Sequence, residues 1–453
     1  MFFNNLSFVW LFFPATLLGF YLVVPRDGRR HFLLAVSLIF YALSGLAHLL
    51  LLICDILWVY AITRSASYPG STQRMWLAIA IPLAALVHFK YLTFILEQVI
   101  GIPPGLLQDT MFARVLLPIG ISFFTFELIS YSLDRYRGEI ESPAPLIDLA
   151  LFVTFFPHLV AGPILRYRNV ATQFSALPSF RLTPGETQEA IVQICLGFFV
   201  KILLADWISG YVSVLKGDLG GLSAPGALYL VFGFSFQIYF DFFGYSLIAI
   251  GVGRLLGVRL PDNFQRPYDS LNPREFWRRW HISLSFWLRD YLYFPLGGNK
   301  RYIRNIIIVF LACGIWHGAG WNFAFWGLTH ALLVIGYHHT APWWDRLPPS
   351  IQRGATFTLV SFAWLPFLFD MQQINQVLGS FAVWTPQSQL PIEAWGSLAA
   401  AAGVYAVADA DRIVDLLRKR TSHQVIGGIV AGVAAVSCLL FLDRTATFIY
   451  FRF

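Results

Sequence analysis

The residues best suited to chemistry in this chain are histidines set in sequence that otherwise excludes charge. His317 lies in "GIWHGAGWNF" (314–323), within a run from Ile306 to Tyr337 that holds no Asp, Glu, Lys or Arg. An ionisable group at membrane depth is costly and marks function by default. Burial disfavours the imidazolium, and a neutral imidazole can take a proton from a hydroxyl as a general base. Its bland use is a packed ring bonded to a carbonyl. His281 follows "NPREFWRRW", where a basic loop meets an aromatic stretch. Alone it reads equally well as an interfacial histidine; two histidines bordering one cavity strengthen each other.

Other groups are weaker candidates. Cys313 is four residues before His317, on the same helical face. It is either a small buried hydrophobe or a thiol able to hold an acyl group. His330, His338 and His339 show no H-E-x-x-H spacing and no nearby carboxylate, so neither a catalytic metal nor a bound cofactor is expected. Glu127, Asp241 and Lys201 interrupt apolar runs and are expected to face a bundle interior, as structural pairs or cavity linings.

These groups need helices to hold them. The 453 residues are 57% hydrophobic and 13% charged, about half the charge of soluble domains. Apolar runs near membrane-spanning length recur throughout, without the short alternation of spanning strands. The reading is an all-α polytopic membrane protein. Its spans fall at 7–24, 31–45, 46–63, 75–99, 112–133, 186–215, 225–256, 304–338, 353–370, 392–409 and 424–442, about eleven. The first run has neither a basic flank before it nor a small-residue cleavage site after it, so it reads as a retained span. Cys54, Cys195, Cys313 and Cys438 are scattered singly. That excludes a disulfide framework, a zinc knuckle and the cysteine-rich DHHC acyltransferases.

Charge sets orientation. Of the net +7, ten Arg/Lys against four Asp/Glu lie between Arg254 and Arg304. The positive-inside rule places this segment in the cytoplasm and the N-terminus outside. An anionic lipid or cofactor could meet it there; nucleic acid is not expected. Two segments, 149–168 and 280–298, are too interrupted or too charged to cross cleanly and read as re-entrant or interfacial. Irregular backbone at membrane depth survives only against protein or a water-filled cavity, so a cavity is expected beside them. The 306–337 run would be about 48 Å long as one helix, beyond the roughly 30 Å hydrocarbon core. A break at Gly318 and Gly320 would leave His317 at the junction of two pieces.

"FWRRWHISLSFWLRDYLYFPLGGNK" (276–300) and "IWHGAGWNFAFWGLTH" (315–330) together resemble the membrane-bound O-acyltransferase family, in its alginate O-acetyltransferase branch. The teichoic acid D-alanylation relatives are a more distant match. "LPIGISFFTFELISYSLDRYRG" (117–138), "FFPHLVAGPILRY" (155–167), "DFFGYSLIAIGVGRLLG" (241–257) and the terminal "FIYFRF" (448–453) support the resemblance over nearly the whole chain. Phe286, Glu127 and Arg452 depart from that branch's pattern, which commonly has a small polar residue, Gln and Gln there.

The resemblance implies one domain over 1–453: N-terminal helices 1–110, a catalytic core 111–340 and C-terminal helices 351–453, ringed about a thin catalytic neck. It implies that His317 and His281 are catalytic. Trp316, Trp280, Arg278, Arg279, Asp290 and Asn322 are expected to line the substrate path, with Arg278 and Arg279 at its cytoplasmic mouth. The implied activity moves a small acyl group, acetyl first, from acetyl-CoA or a carrier-bound thioester across a bacterial inner membrane. The acceptor would be periplasmic, an SGNH-type partner protein or the exopolysaccharide itself. D-alanyl transfer to a cell-wall polymer, and transport of an acylated solute without chemistry, are the competing readings. General-base catalysis and an acyl-imidazole intermediate both fit His317.

Overall fold

The computed structural model describes residues 3, 5–103, 106, 117–159, 162–386, 390–407, 432 and 448. They are mainly helical, and the contact pattern divides the chain into two compact units. One is Met1–Ala190 with Ala249–Pro261, the other Ile191–Ile248 with Asp262–Phe453. Among the described residues the only strand-like feature is a single bridge between Phe264 and Trp280.

The first unit begins with helices α1 (Phe8–Val23), α2 (Arg29–Ala42), α3 (Leu46–Thr63) and α4 (Thr72–Val99). α5 (Ile121–Tyr136) follows, then three short pieces, α6 (Leu146–Thr154), α7 (Phe156–Leu159) and α8 (Tyr167–Ala176). These pieces occupy the segment read as re-entrant, and among the described residues no helix there is long enough to span. Phe155, Phe156, His158 and Leu159 are all buried, so the broken backbone is sheltered by protein. Glu127, on α5, anchors it: its carboxylate takes the Leu165 N–H at 3.2 Å and pairs with His158 Nδ1 at 3.1 Å.

α9 (Pro184–Gly217) and α10 (Ala224–Leu255) join α3 and α4 as helices long and apolar enough to cross a membrane. Gly197 and Gly244 bring α9 and α10 into backbone contact, since a Cβ on either would sit 2.6 Å from the other's carbonyl oxygen. The second unit continues with α11 (Pro273–Arg279), α12 (Ile282–Leu288), α13 (Tyr302–His317) and α14 (Trp321–Trp344). It ends with α15 (Pro349–Ala363), α16 (Leu365–Leu368), α17 (Met371–Ser380) and α18 (Ile392–Val407). The remaining apolar run, 424–442, lies outside the described residues, apart from residue 432.

The break expected in 306–337 is present. α13 ends at His317, residues 318–320 are extended or turned, and α14 starts at Trp321. Two glycines make the return possible. A Cβ on Gly314 would meet the Phe323 carbonyl oxygen at 2.2 Å, and one on Gly327 the Phe310 carbonyl oxygen at 2.2 Å. In lipid, where apolar burial does not drive helix pairing, such close backbone approach is what holds helices together. Gly327→Ala is expected to lower the unfolding midpoint in detergent, with an overpacking cost of about 1–3 kcal/mol. Gly336→Ala, on the same helix with open space at that position, is expected to leave it unchanged. Equal midpoints for the two variants would show that the contact is not tight.

Candidate active site

His317 ends α13, 5% exposed, in a cage of rings. Trp316, Trp326 and Phe367 stand edge-on at centroid distances of 4.8, 5.0 and 5.3 Å. The cage comes from three helices, and Asn322 holds one wall in place by donating from Nδ2 to the Pro366 carbonyl at 3.1 Å. Asn322 thus fixes the turn carrying Phe367. His281, 1% exposed, lies across from His317 with ring centroids 6.5 Å apart. Trp316 bridges them, 6.1 Å from the His281 ring. The two histidines singled out in the sequence therefore meet in the fold.

His281 sits in the left-handed region, φ +44° and ψ +56°, at the start of α12. That conformation costs a residue with a side chain on the order of 1–3 kcal/mol and persists only where its surroundings impose it. Asn263 supplies them. Its carbonyl oxygen receives the Ile282 N–H at 3.0 Å, while Phe264 bridges Trp280 and Gln265 N–H reaches the Arg279 carbonyl at 3.0 Å. The Asn263 side chain also sets the tautomer. Its Oδ1 accepts from the Ser283 backbone N–H and hydroxyl, at 3.3 and 2.9 Å, so that atom is the oxygen. The His281 Nδ1 facing it at 3.1 Å must then carry the proton, which leaves Nε2 as the basic nitrogen. Nothing in residue spacing pointed to Asn263; the left-handed turn at His281 recruits it.

Beside this pair, a cavity of about 940 Å³ is lined by Arg274, Arg278, Arg289, Tyr293 and Tyr302 on its polar side. Its apolar wall includes Trp277, Ile306, Val309, Phe310 and Cys313. Cys313 is one turn before His317 on α13, and Trp277 of the same wall packs on Trp326 of the cage at 5.8 Å. Arg274 donates to Tyr302 Oη at 3.4 Å and His338 Nδ1 at 3.2 Å. Arg289 is chelated by Asp290, Nε to Oδ1 at 2.6 Å, and lies 4.4 Å over the Phe286 ring.

The other expected residues divide. Trp316 borders both histidines. Trp280 is buried against Trp364 at 4.8 Å. Arg278 lines the cavity, whereas Arg279 turns to Glu275 at 2.5 Å. Asp290 holds Arg289, which lines the cavity. Lys201 and Asp241 form a buried ion pair at 2.8 Å, with Asp206 at 2.5 Å from the same ammonium. In the terminal motif, Phe448 packs on Tyr245 at 4.5 Å; residues 449–453, including Arg452, lie outside the described residues. Removing the Asn263 amide, as in Asn263→Ala, is expected to cut turnover of a thioester by about 10²-fold with the fold retained. Full activity in a folded variant would separate His281 tautomer control from catalysis.

A family model for membrane-bound O-acyltransferases matches residues 40–350. The probable alginate O-acetylase of Pseudomonas putida is 38% identical over 385 residues, 81% of this chain and 77% of that protein. The peptidoglycan O-acetyltransferase of Helicobacter pylori is 34% identical over 407 residues, covering 81% and 76%. The teichoic acid D-alanyltransferase of Bacillus subtilis is 31% identical over 236 residues, covering 50% and 60%. The chain belongs to the membrane-bound O-acyltransferase family, and it is a membrane-located O-acyltransferase.

Proposed function

We propose that this protein takes acetyl from acetyl-CoA, or from a carrier-borne thioester, in the cytoplasm and passes it through a bacterial inner membrane to acetylate an exopolysaccharide of alginate type. The observation that carries this reading is the cavity beside the histidines. Its arginines suit the phosphates of the donor, its apolar wall suits a pantetheine arm, and Cys313, one turn from His317, is among its lining residues. The basic Arg254–Arg304 segment supports a cytoplasmic mouth and a periplasmic N-terminus. A periplasmic SGNH-type protein, or the polymer itself, would receive the acetyl group.

The chemistry needs little beyond alignment and proton transfer, because a thioester is already activated. His317 takes the proton of the acceptor hydroxyl while that oxygen bonds to the thioester carbonyl carbon. The carbonyl oxygen becomes an oxyanion, then the tetrahedral centre collapses, the C–S bond breaks, and the imidazolium proton goes to the departing thiolate. His281, with Nε2 basic, stands in the same aromatic enclosure to orient the hydroxyl.

Arg278→Ala tests the donor side. It is expected to raise KM for acetyl-CoA about tenfold, the loss of one charge-assisted phosphate contact, and to leave KM for S-acetyl-N-acetylcysteamine, which has no phosphate, unchanged. Equal effects on both donors would remove the phosphate role. Direction is tested with inverted membrane vesicles that enclose unacetylated polymannuronate and the periplasmic protein fraction, supplied outside with radiolabelled acetyl-CoA. Label is expected on the enclosed polymer; label confined to the outer face would refute transfer across the membrane.

A further inference from the structure

Three aromatic N–H groups beside His317 have a property that acyl transfer would use and that the base does not supply. Trp326, Trp364 and His330 are no more than 1% exposed. Their rings touch one another: Trp326 to His330 at 4.9 Å, Trp326 to Trp364 and His330 to Trp364 each at 5.7 Å. The indole Nε1 of Trp326, the indole Nε1 of Trp364 and Nε2 of His330 find no hydrogen-bond partner. An indole nitrogen only donates. His330 is forced into the same role: Trp277 Nε1, itself only a donor, bonds to His330 Nδ1 at 3.2 Å. Nδ1 therefore accepts, and in the neutral ring the proton is on Nε2. The cluster is three buried donors without an acceptor, and leaving such groups unpaired is costly.

Position gives the cluster its meaning. Trp326 stands edge-on to His317 at 5.0 Å. On the other side, Trp277 and Phe310, both in the cavity wall, pack on His330 at 5.0 and 6.5 Å. Trp277 therefore joins the cavity wall to the donor cluster, and Trp326 joins the cluster to His317. Neutral N–H groups in apolar surroundings suit an oxygen that gains charge transiently, since preorganised donors in a dry site act most strongly on developing charge. They suit a permanently charged ligand less well.

We propose that Trp326, Trp364 and His330 form an acyl-carbonyl subsite, which takes the carbonyl oxygen of the group being transferred and holds its negative charge as the tetrahedral centre forms. This rests on the chain using a thioester donor, and it applies equally to direct attack and to an acyl-imidazole route, because both pass through an oxyanion.

The test uses the purified full-length protein in nanodiscs. Trp326 is replaced, by nonsense suppression, with 3-benzothienylalanine, which keeps the bicyclic shape and puts sulfur in place of the N–H. Two measurements follow: turnover of acetyl-CoA per folded molecule, and the carbonyl stretch of a bound, isotope-labelled acetyl-CoA analogue with a methylene in place of the thioester sulfur. Turnover is expected to fall about 10²-fold, the usual cost of one oxyanion donor, with KM for the donor changed less than about twofold. The carbonyl stretch, lowered in the wild type, is expected to move back toward its solution value. His330→Phe should act in the same direction, and His330→Gln, which retains an N–H, should restore part of the loss. Wild-type turnover with an unmoved stretch in the sulfur isostere overturns the subsite. His317→Ala keeps the two readings apart. A lowered stretch that persists while turnover ignores His317 would cost the proposed function its base and leave the subsite standing. An unshifted stretch in a wild type whose turnover depends on His317 would do the reverse.

Discussion

The site depends on one close contact, the backbone crossing of α13 and α14 at Gly314 and Gly327. Each glycine faces a carbonyl oxygen of the opposite helix with no room for a methyl group. A bilayer gives two helices no hydrophobic reason to pair, so this fit decides how the charge-free run 306–337 folds back. It puts the end of α13, and His317 with it, against Trp326 of the returning helix. Gly318 continues the constraint, because a Cβ there would strike the Phe323 ring. Backbone geometry thereby sets where this candidate histidine stands.

A second device brings His281 to the same place. The short helices α11 and α12 meet at a left-handed residue that the sequence between Asn263 and Gln265 pins by backbone hydrogen bonds. The strain is local and the compensation is local, as is common at working sites. Around both histidines the walls are almost wholly aromatic. Rigid rings exclude water and offer N–H donors at their edges, which raises the strength of every polar interaction inside. Arg274, Arg278 and Arg289 line the neighbouring cavity.

Much of this was legible in the residues. The absence of charge from 306 to 337, against a length too great for one crossing, gave the break at Gly318–Gly320. The interrupted composition of 149–168 and 280–298 gave the short helices found there. Histidines at membrane depth were conspicuous because such groups are costly. What spacing could not give is what tertiary packing creates. Asn263 is an ordinary loop residue until it caps His281. Arg278 and Arg279 are neighbours in sequence, yet one lines the cavity and the other closes an i,i+4 pair with Glu275. His330 stands out in sequence as a ligand type, but its role follows from the Trp277 indole, a partner 53 residues away.

The most direct test of the central claim is thioester turnover by the purified protein in nanodiscs, with acetyl-CoA as donor and the periplasmic protein fraction present. Wild type is compared with His317→Ala at equal folded fraction. Loss of the base is expected to reduce release of free CoA by about 10²–10⁴-fold while donor binding is retained. A folded His317→Ala protein that releases CoA at the wild-type rate would contradict the account, because the enclosure built by α13 and α14 would then hold a histidine the reaction does not use.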